Sequence, residues 1–297
     1  MPLTLANVSK VYKIGTFGGS SLIAVRDVSF ELAPGEVVSL IGESGSGKST
    51  IGRMILRLVD PTAGSIRLDG ADVQELGSRG LRQYYGRVQG VFQDPFSSYN
   101  PIFKADRVLA TIRSAYLADL SRAEWDKKLG ESLAAVGLNP RDVLGKYPHQ
   151  LSGGQLQRLL IARALLLDID YLVADEIISM LDASTRIDVL NLLGDLKARG
   201  LGILFITHDL SLGNYISDRT IILRRGAIVE MGATRKVFED ARHPYTKLLL
   251  DSVPQLHEKW ATNGAPRDRP SVADESAAEL VEVEADHFAA VAPDGRP

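Results

Sequence analysis

Cysteine is absent from the 297 residues, which excludes disulfides, a cysteine-ligated iron–sulfur cluster and a cysteine-based zinc site, and fits a reducing compartment. An excess of one charge sign is also missing. Lys and Arg number 34 against 37 Asp and Glu, a formal net charge of −3, so no basic excess marks a nucleic-acid binder. Long apolar runs are lacking too: the best candidate, Leu159–Leu167, is broken by Arg163 and falls well short of the ~18 residues a membrane span needs. Met1-Pro2-Leu3-Thr4 has no basic segment ahead of an apolar one, so no signal peptide is expected. A soluble chain is expected, one that works at a membrane only by docking to something embedded there. What is present, 45% hydrophobic and 24% charged residues, is a globular balance with material for one large domain or two small ones.

The richest stretch is Gly42-Glu43-Ser44-Gly45-Ser46-Gly47-Lys48-Ser49-Thr50. An apolar, β-branched run, Glu36–Ile41, precedes it, and Ile51–Leu58 follows with apolar residues at helical spacing. Strand, glycine loop and helix form the context of a phosphate-cradling loop. Gly42, Gly45 and Gly47 are expected to take positive φ, turning successive amides toward oxyanions. The helix start adds its positive end. Lys48 is expected at the β- and γ-phosphates, the Ser49 hydroxyl on Mg2+, and the Thr50 hydroxyl near the α- or β-phosphate.

The rest alternates between strand and helix. Leu3–Tyr12 and Leu22–Leu32 read as strands joined by a Gly- and Ser-rich link. Tyr12 is either a half-buried edge aromatic or a platform for adenine. The strand Val88–Phe92 ends at Gln93, and Pro95 and Pro101 bar regular structure beyond it; read alone, Gln93 is a solvated loop residue. Arg107–Leu117 and Arg122–Val136 have amphipathic helical spacing and no strand signal, so a helical insertion divides two halves of an α/β domain. Leu151-Ser152-Gly153-Gly154-Gln155 opens a second long helix with another anion-seeking tip. Tyr171–Asp175-Glu176 is a buried-strand pattern with two carboxylates at its carboxyl end, where ligands bind in an open parallel sheet. Asp175 is expected to orient Mg2+ and Glu176 to act on an attacking water. Gly202–Thr207 is a further strand, ending at His208, which read alone is a polar turn residue. Thr220–Arg224 and Ala227–Met231 read as a hairpin. Helices are expected from Gly232 and from His243-Pro244-Tyr245-Thr246, the latter ending before Pro254. Thr262–Pro297, rich in Ala, Pro, Asp and Glu, reads as largely without fixed structure.

These pieces in this order resemble the ATP-binding subunits of ABC transporters. Gly42–Thr50, with Ser44 and Thr50, resembles the Walker A loop and Gln93 the Q-loop glutamine. Leu151–Gln155 is identical to the family signature. Val173–Glu176 resembles Walker B with its catalytic glutamate, Leu181-Asp182 the D-loop, and His208 the switch histidine. The resemblance spans about residues 2–255. It implies ATP and Mg2+ as cofactors and a P-loop NTPase (RecA-like) α/β core with an antiparallel β subdomain and an inserted helical subdomain. Lys48, Gln93, Glu176 and His208 would serve catalysis, and Ser49, Gln93 and Asp175 the metal. Tyr12, Gly42, Ser44, Gly45, Gly47, Lys48, Ser49, Thr50, Ser152, Gly153, Gly154, Gln155 and Asp182 would contact nucleotide, Ser152 and Gly154 on a head-to-tail partner's ATP.

On the same resemblance, residues 1–92 and 158–235 form the nucleotide-binding core with its β subdomain. Residues 93–157 form the helical signature subdomain, 236–260 a C-terminal helical extension, and 261–297 a tail. Gln93–Pro101 and His243–Thr246 with Leu248–Leu250 resemble the oligopeptide/dipeptide importer group, which also includes oligosaccharide and nickel importers. That implies a paralogous second ATPase subunit in a heterodimer, two membrane permease subunits and a solute-binding protein. It also implies no nucleic acid, and peripheral attachment at the cytoplasmic face of the cell membrane. The alternative is a non-transport ABC ATPase of the DNA-repair or translation-factor type. One departure stands out: Ile177-Ile178 replace the usual Pro-Thr or Pro-Val, and Met180 the usual Ala, which bears on D-loop geometry.

Overall fold

The computed structural model describes residues 2–14, 19–252 and 279–291. The chain opens with β1 (Leu3–Lys13) and β2 (Ser21–Leu32), then β3 (Val37–Ile41), α1 (Lys48–Ile55), β4 (Ala63–Leu68) and β5 (Ala71–Asp72). Next come α2 (Ser78–Arg87), β6 (Val88–Val91), α3 (Arg107–Tyr116), α4 (Arg122–Ala135), α5 (Pro140–Val143) and α6 (Gly153–Leu165). The second half runs β7 (Tyr171–Asp175), α7 (Ala183–Ala198), β8 (Gly202–Thr207), α8 (Leu210–Ile216), β9 (Arg219–Arg224) and β10 (Ala227–Ala233). Helices α9 (Thr234–Glu239) and α10 (Pro244–Asp251) precede the last strands, β11 (Glu279–Glu284) and β12 (His287–Val291).

The strands form two sheets. One, in the order β2-β1-β4-β5, is antiparallel; the other has the order β11-β12-β10-β9-β3-β8-β7-β6. Within the larger sheet β9, β3, β8, β7 and β6 run parallel. Every residue of β3, β7 and β8 is buried, as a parallel sheet covered on both faces requires. Alternate residues divide between the layers. Leu172, Ala174, Ile203 and Phe205 join the core under α6 and α7. Val173, Leu204 and Ile206 face Ile51, Met54 and Ile55 of α1, which is sandwiched between the two sheets. Each of those α1 side chains contributes about 1.5–3 kcal/mol by leaving water.

Three features depart from the sequence expectation. Helix α2 is hidden by Gly80 and Gly86 within it; it is held by buried Tyr84, whose hydroxyl donates to the Ile55 carbonyl at 2.6 Å. Helix α8 is short and starts where the Asp209 carboxylate caps Ser211 and Leu212. The expectation of a structureless tail fails over residues 279–291, which form a hairpin. Composition averaged over the tail dilutes the strand pattern of Leu280–Glu284 and His287–Val291. The exposed edge of β10 supplies the missing pairing, with Glu230, Met231 and Gly232 opposite Ala289, Phe288 and His287. Helix α10 ends at Asp251, before Pro254 as expected; the rest of the tail lies outside the described residues.

Candidate functional site

Four loops leave the carboxyl edge of the parallel strands side by side. Ile41 lies opposite Thr207, Asp175 opposite Ile206, and Val91 opposite Ala174. The segments that follow β3, β8, β7 and β6 therefore emerge together, carrying the 42–47 loop, His208, Glu176 and Gln93.

The first loop is shaped from both sides. Gly47 has φ +105°, and a Cβ there would stand 2.4 Å from the Ala24 carbonyl oxygen on β2. Gly42 does not take the expected positive φ, which is confined to Gly45 and Gly47 in this loop. Its glycine is needed instead for close approach, since a Cβ would fall 2.2 Å from the Leu223 carbonyl oxygen. The Gly226 amide donates to the Ser46 carbonyl at 2.9 Å. Helix α1 then begins at Gly47 with no side-chain cap, so its first amides are left available to a ligand.

Lys48 is buried at 5% exposure. Its ammonium donates to the Gly42 and Glu43 carbonyls, both at 2.7 Å, and lies 3.4 Å from the Ser46 hydroxyl. Burial pulls its pKa below the ordinary lysine value, against the charges of Glu176, Asp175 and Glu43. The Ser49 hydroxyl donates to Asp175 Oδ1 at 3.1 Å. Burial pushes the Asp175 carboxyl up, opposed by that hydrogen bond and reinforced by Glu176.

Glu176 takes φ +51° in a turn closed by Ser179, whose amide and hydroxyl donate to the Glu176 carbonyl at 3.1 and 2.9 Å. The Glu176 amide donates to the Ile206 carbonyl at 2.9 Å, and Glu176 Oε1 lies 3.3 Å from His208 Nδ1. Ile177 and Ile178, the departures from the family pattern, are buried in the core, whereas Met180 is 62% exposed.

Lys48, Ser49, Asp175, Glu176 and His208 are brought together by these contacts. Ser44 and Gly45 lie exposed on the loop and Thr50 half-buried beside Ser49. Gln93 is exposed, and the strand before it is tied to α6. Arg163 Nη2 donates to the Gly90 carbonyl at 2.9 Å and to Gln89 Oε1 at 3.3 Å. Tyr12 sits half-buried on β1 of the other sheet, paired with Leu22, with the Lys10 ammonium 5.1 Å from its ring centre.

Ser152, Gly153, Gly154, Gln155 and Asp182 form a second cluster. The Ser152 hydroxyl accepts from the Gln155 amide at 3.2 Å, and Gln155 Oε1 accepts from the Ser152 amide at 2.9 Å. A Cβ on Gly154 would meet Thr185 Cγ2 at 2.6 Å, so the start of α6 abuts the start of α7. There Asp182 caps the helix, accepting from the Ser184 hydroxyl at 2.6 Å, the Thr185 amide at 3.0 Å and the Thr185 hydroxyl at 2.8 Å. Those hydrogen bonds, Ser184's first, hold its carboxyl below the usual range.

Sequence reasoning missed Tyr245, whose hydroxyl accepts from the Glu43 amide at 3.3 Å. No local pattern signals a contact across that separation. It also missed Arg163, which reads as one interruption in an apolar run.

A family model described as ABC transporter matches residues 25–179, and one described as Oligopeptide/dipeptide transporter, C-terminal region, matches residues 229–278. The dipeptide transport ATP-binding protein of Lactococcus lactis is 43% identical over 253 residues, 84% of this chain and 80% of that protein. The oligopeptide transport ATP-binding protein of Streptococcus mutans is 42% identical over 250 residues, with 84% and 80% covered. Among solved structures, a dimeric ATP-binding cassette in a post-hydrolysis state, bound to ADP and Pi, aligns with a TM-score of 0.70. That cassette is 32% identical, with 79% of this chain and 99% of that one covered.

Proposed function

This chain belongs to the ABC transporter family, as an ATP-binding subunit, and from that premise we propose that it powers peptide uptake through separate membrane permeases. It is an ATPase, and its cofactor is ATP. The observation that carries the residue roles is the convergence of Lys48, Ser49, Asp175, Glu176 and His208 at one sheet edge.

Phosphate binding falls to the 42–47 loop and the open start of α1. Lys48 exchanges the Gly42 and Glu43 carbonyls for β- and γ-phosphate oxygens. A desolvated ammonium gains more from a full negative charge than from two neutral acceptors. Ser49 and Asp175 suit Mg2+: both offer hard oxygens, and the Ser49 hydroxyl lies 3.1 Å from Asp175 Oδ1. Magnesium takes one or two protein ligands and completes its shell with water and phosphate. Bound there, the ion supplies charge neutralisation on the phosphates. Glu176 orients the attacking water and accepts its proton, and His208 beside it holds the γ-phosphate. Gln93 senses the γ-phosphate side from the loop that leads to the helical insertion, and Tyr12 stacks on adenine.

The second cluster, Ser152 to Gln155 with Asp182, serves the nucleotide of a head-to-tail partner, which we assign to a paralogous ATPase subunit. The helical segment from Gln93 to the start of α6 acts as the moving subdomain against the core. Two permease subunits and a solute-binding protein complete the importer, at the cytoplasmic face of the membrane. No helix among the described residues is long and apolar enough to cross a membrane, in keeping with separate permeases. Peptides are favoured over oligosaccharides because the relatives are named for dipeptide and oligopeptide transport. A transport role is favoured over a DNA-repair role because the inserted helices are short, 10 residues in α3 and 14 in α4, too short for long coiled-coil arms.

Glu176→Gln tests the reading. Turnover should fall about 10²–10⁴-fold, while MgATP stays bound and the two ATPase subunits remain clamped together. Wild-type turnover in that variant would overturn the role given to Glu176.

A further inference from the structure

Beside the 42–47 loop, the described part of the C-terminal segment builds a series of contacts. It begins at Glu230, a carboxylate on β10 with no exposed surface. Glu230 accepts from the Arg242 amide at 2.7 Å and the His243 amide at 3.0 Å. It also meets His287 Nε2, on the C-terminal hairpin, at 2.7 Å. A carboxylate can only accept, so His287 donates from Nε2. His243 Nδ1 in turn accepts from the Tyr245 amide at 3.1 Å. Tyr245, 2% exposed, has the Arg224 guanidinium 4.6 Å from its ring centre. Its hydroxyl accepts from the Glu43 amide at 3.3 Å. The carbonyl of that same Glu43 accepts from Lys48.

Apolar packing follows the same path. Ile41, the residue before the loop, shares one buried cluster with Tyr245, Val229, Val237 and Ala290 of the hairpin. Lys236 fastens the hairpin turn from outside, donating to Glu284 at 3.0 Å and to the Ala285 carbonyl at 2.6 Å.

We propose that β11–β12 and the His243–Tyr245 segment form a strut that sets the loop's affinity for nucleotide, with Tyr245 as its positioning residue. The physical reason lies in Glu43. The Gly42–Glu43 peptide is gripped on its amide side by Tyr245 and on its carbonyl side by Lys48. When Lys48 leaves for phosphate, the Tyr245 hydrogen bond still fixes that peptide, while the Ser46 amide keeps the Glu43 carbonyl. A loop held in its ligand-ready shape does not have to be ordered at the moment of binding, which raises affinity without any contact to the ligand. The strut therefore acts on binding more than on the chemical step. The inference rests on the reading of Gly42–Thr50 as the nucleotide loop.

The test uses the full chain and fluorescent mant-ADP. Tyr245→Phe keeps the ring and deletes only the hydroxyl, so the fold survives. Its Kd should rise about three- to tenfold, the scale of one hydrogen bond, with KM for MgATP moving in parallel and kcat at saturation unchanged within about twofold. His287→Ala, at the far end, should shift Kd in the same direction while leaving Tyr245 in place. Unchanged Kd in Tyr245→Phe would overturn the proposal, as would a loss of kcat without a change in affinity. Unchanged Kd in His287→Ala would remove the hairpin from the strut. A wild-type chain that does not bind mant-ADP would instead sink the nucleotide-loop reading itself.

Discussion

Helices α1 and α6 both start at glycine-rich turns, yet their first turns are finished in opposite ways. The start of α1 has no side-chain cap, and a buried lysine stands at it. The start of α6 is capped reciprocally by Ser152 and Gln155, and Ser152 is exposed. A tip that must take charged oxygens out of water needs open amides and a desolvated cation already in place. A tip that waits for a ligand held elsewhere can satisfy itself until that ligand arrives. The contrast fits the proposed head-to-tail pairing, in which the first helix start is complete within the chain and the second would be completed by a neighbour's nucleotide.

The sharpest way to break that contrast is to disable each tip in turn. Lys48→Ala should weaken mant-ADP binding to the isolated chain about ten- to a hundredfold, the scale of lost charge-assisted hydrogen bonds. Ser152→Ala should leave that affinity unchanged within about twofold and lower turnover only in the assembled pair. It should also lower thermal stability by about 0.5–2 kcal/mol, the cost of a lost N-cap. Equilibrium titration of the isolated chain decides the matter. If Ser152→Ala weakens nucleotide binding there as Lys48→Ala does, the start of α6 serves its own chain and the head-to-tail reading fails.

The difference between the two tips was only partly legible in the sequence. The loop at Gly42–Thr50 could be read because everything that forms it is local: a buried strand, glycines and a helix within a few turns. The start of α6 could be read as an anion-seeking tip from Ser152 and its two glycines, while the reciprocal capping by Gln155 went unread. Which tip was open and which closed was not legible, since it depends on Lys48 folding back onto the Gly42 and Glu43 carbonyls. Long-range partners were invisible for the same reason. Nothing near Glu43 names Tyr245, and nothing near Glu230 names His287, because sheet pairing rather than sequence brings them together. The hairpin at 279–291 was lost to averaging, its strand pattern being shorter than the Asp-, Glu- and Pro-rich stretch around it. The division drawn between residues 157 and 158 falls inside α6, a helix continuous from Gly153 to Leu165; apolar periodicity alone does not show where one rigid element serves two subdomains.

The smallest expected effect separates the two tips by the sign of a stability change. Burial raises the Asp175 carboxyl above its ordinary value of 3.8. A group raised on folding stabilises fully below its unfolded pKa, and that contribution is lost as pH rises through the folded value. At neutral pH the ionised Asp175 is thus a burden on the nucleotide-free fold, one that a magnesium-bound phosphate would relieve. Asp175→Asn should raise the melting temperature of the nucleotide-free chain by roughly 2 °C at neutral pH. The gain should shrink as pH falls toward 3.8, and ATP turnover should be lost. Ser152→Ala should move the melting temperature the other way, with no such pH dependence, because a hydroxyl cap carries no titrating group. Melts of both variants across pH test the pair. If Asp175→Asn melts with or below the wild type at neutral pH, the carboxylate is not strained by burial, and the α1 side of the contrast loses its physical basis.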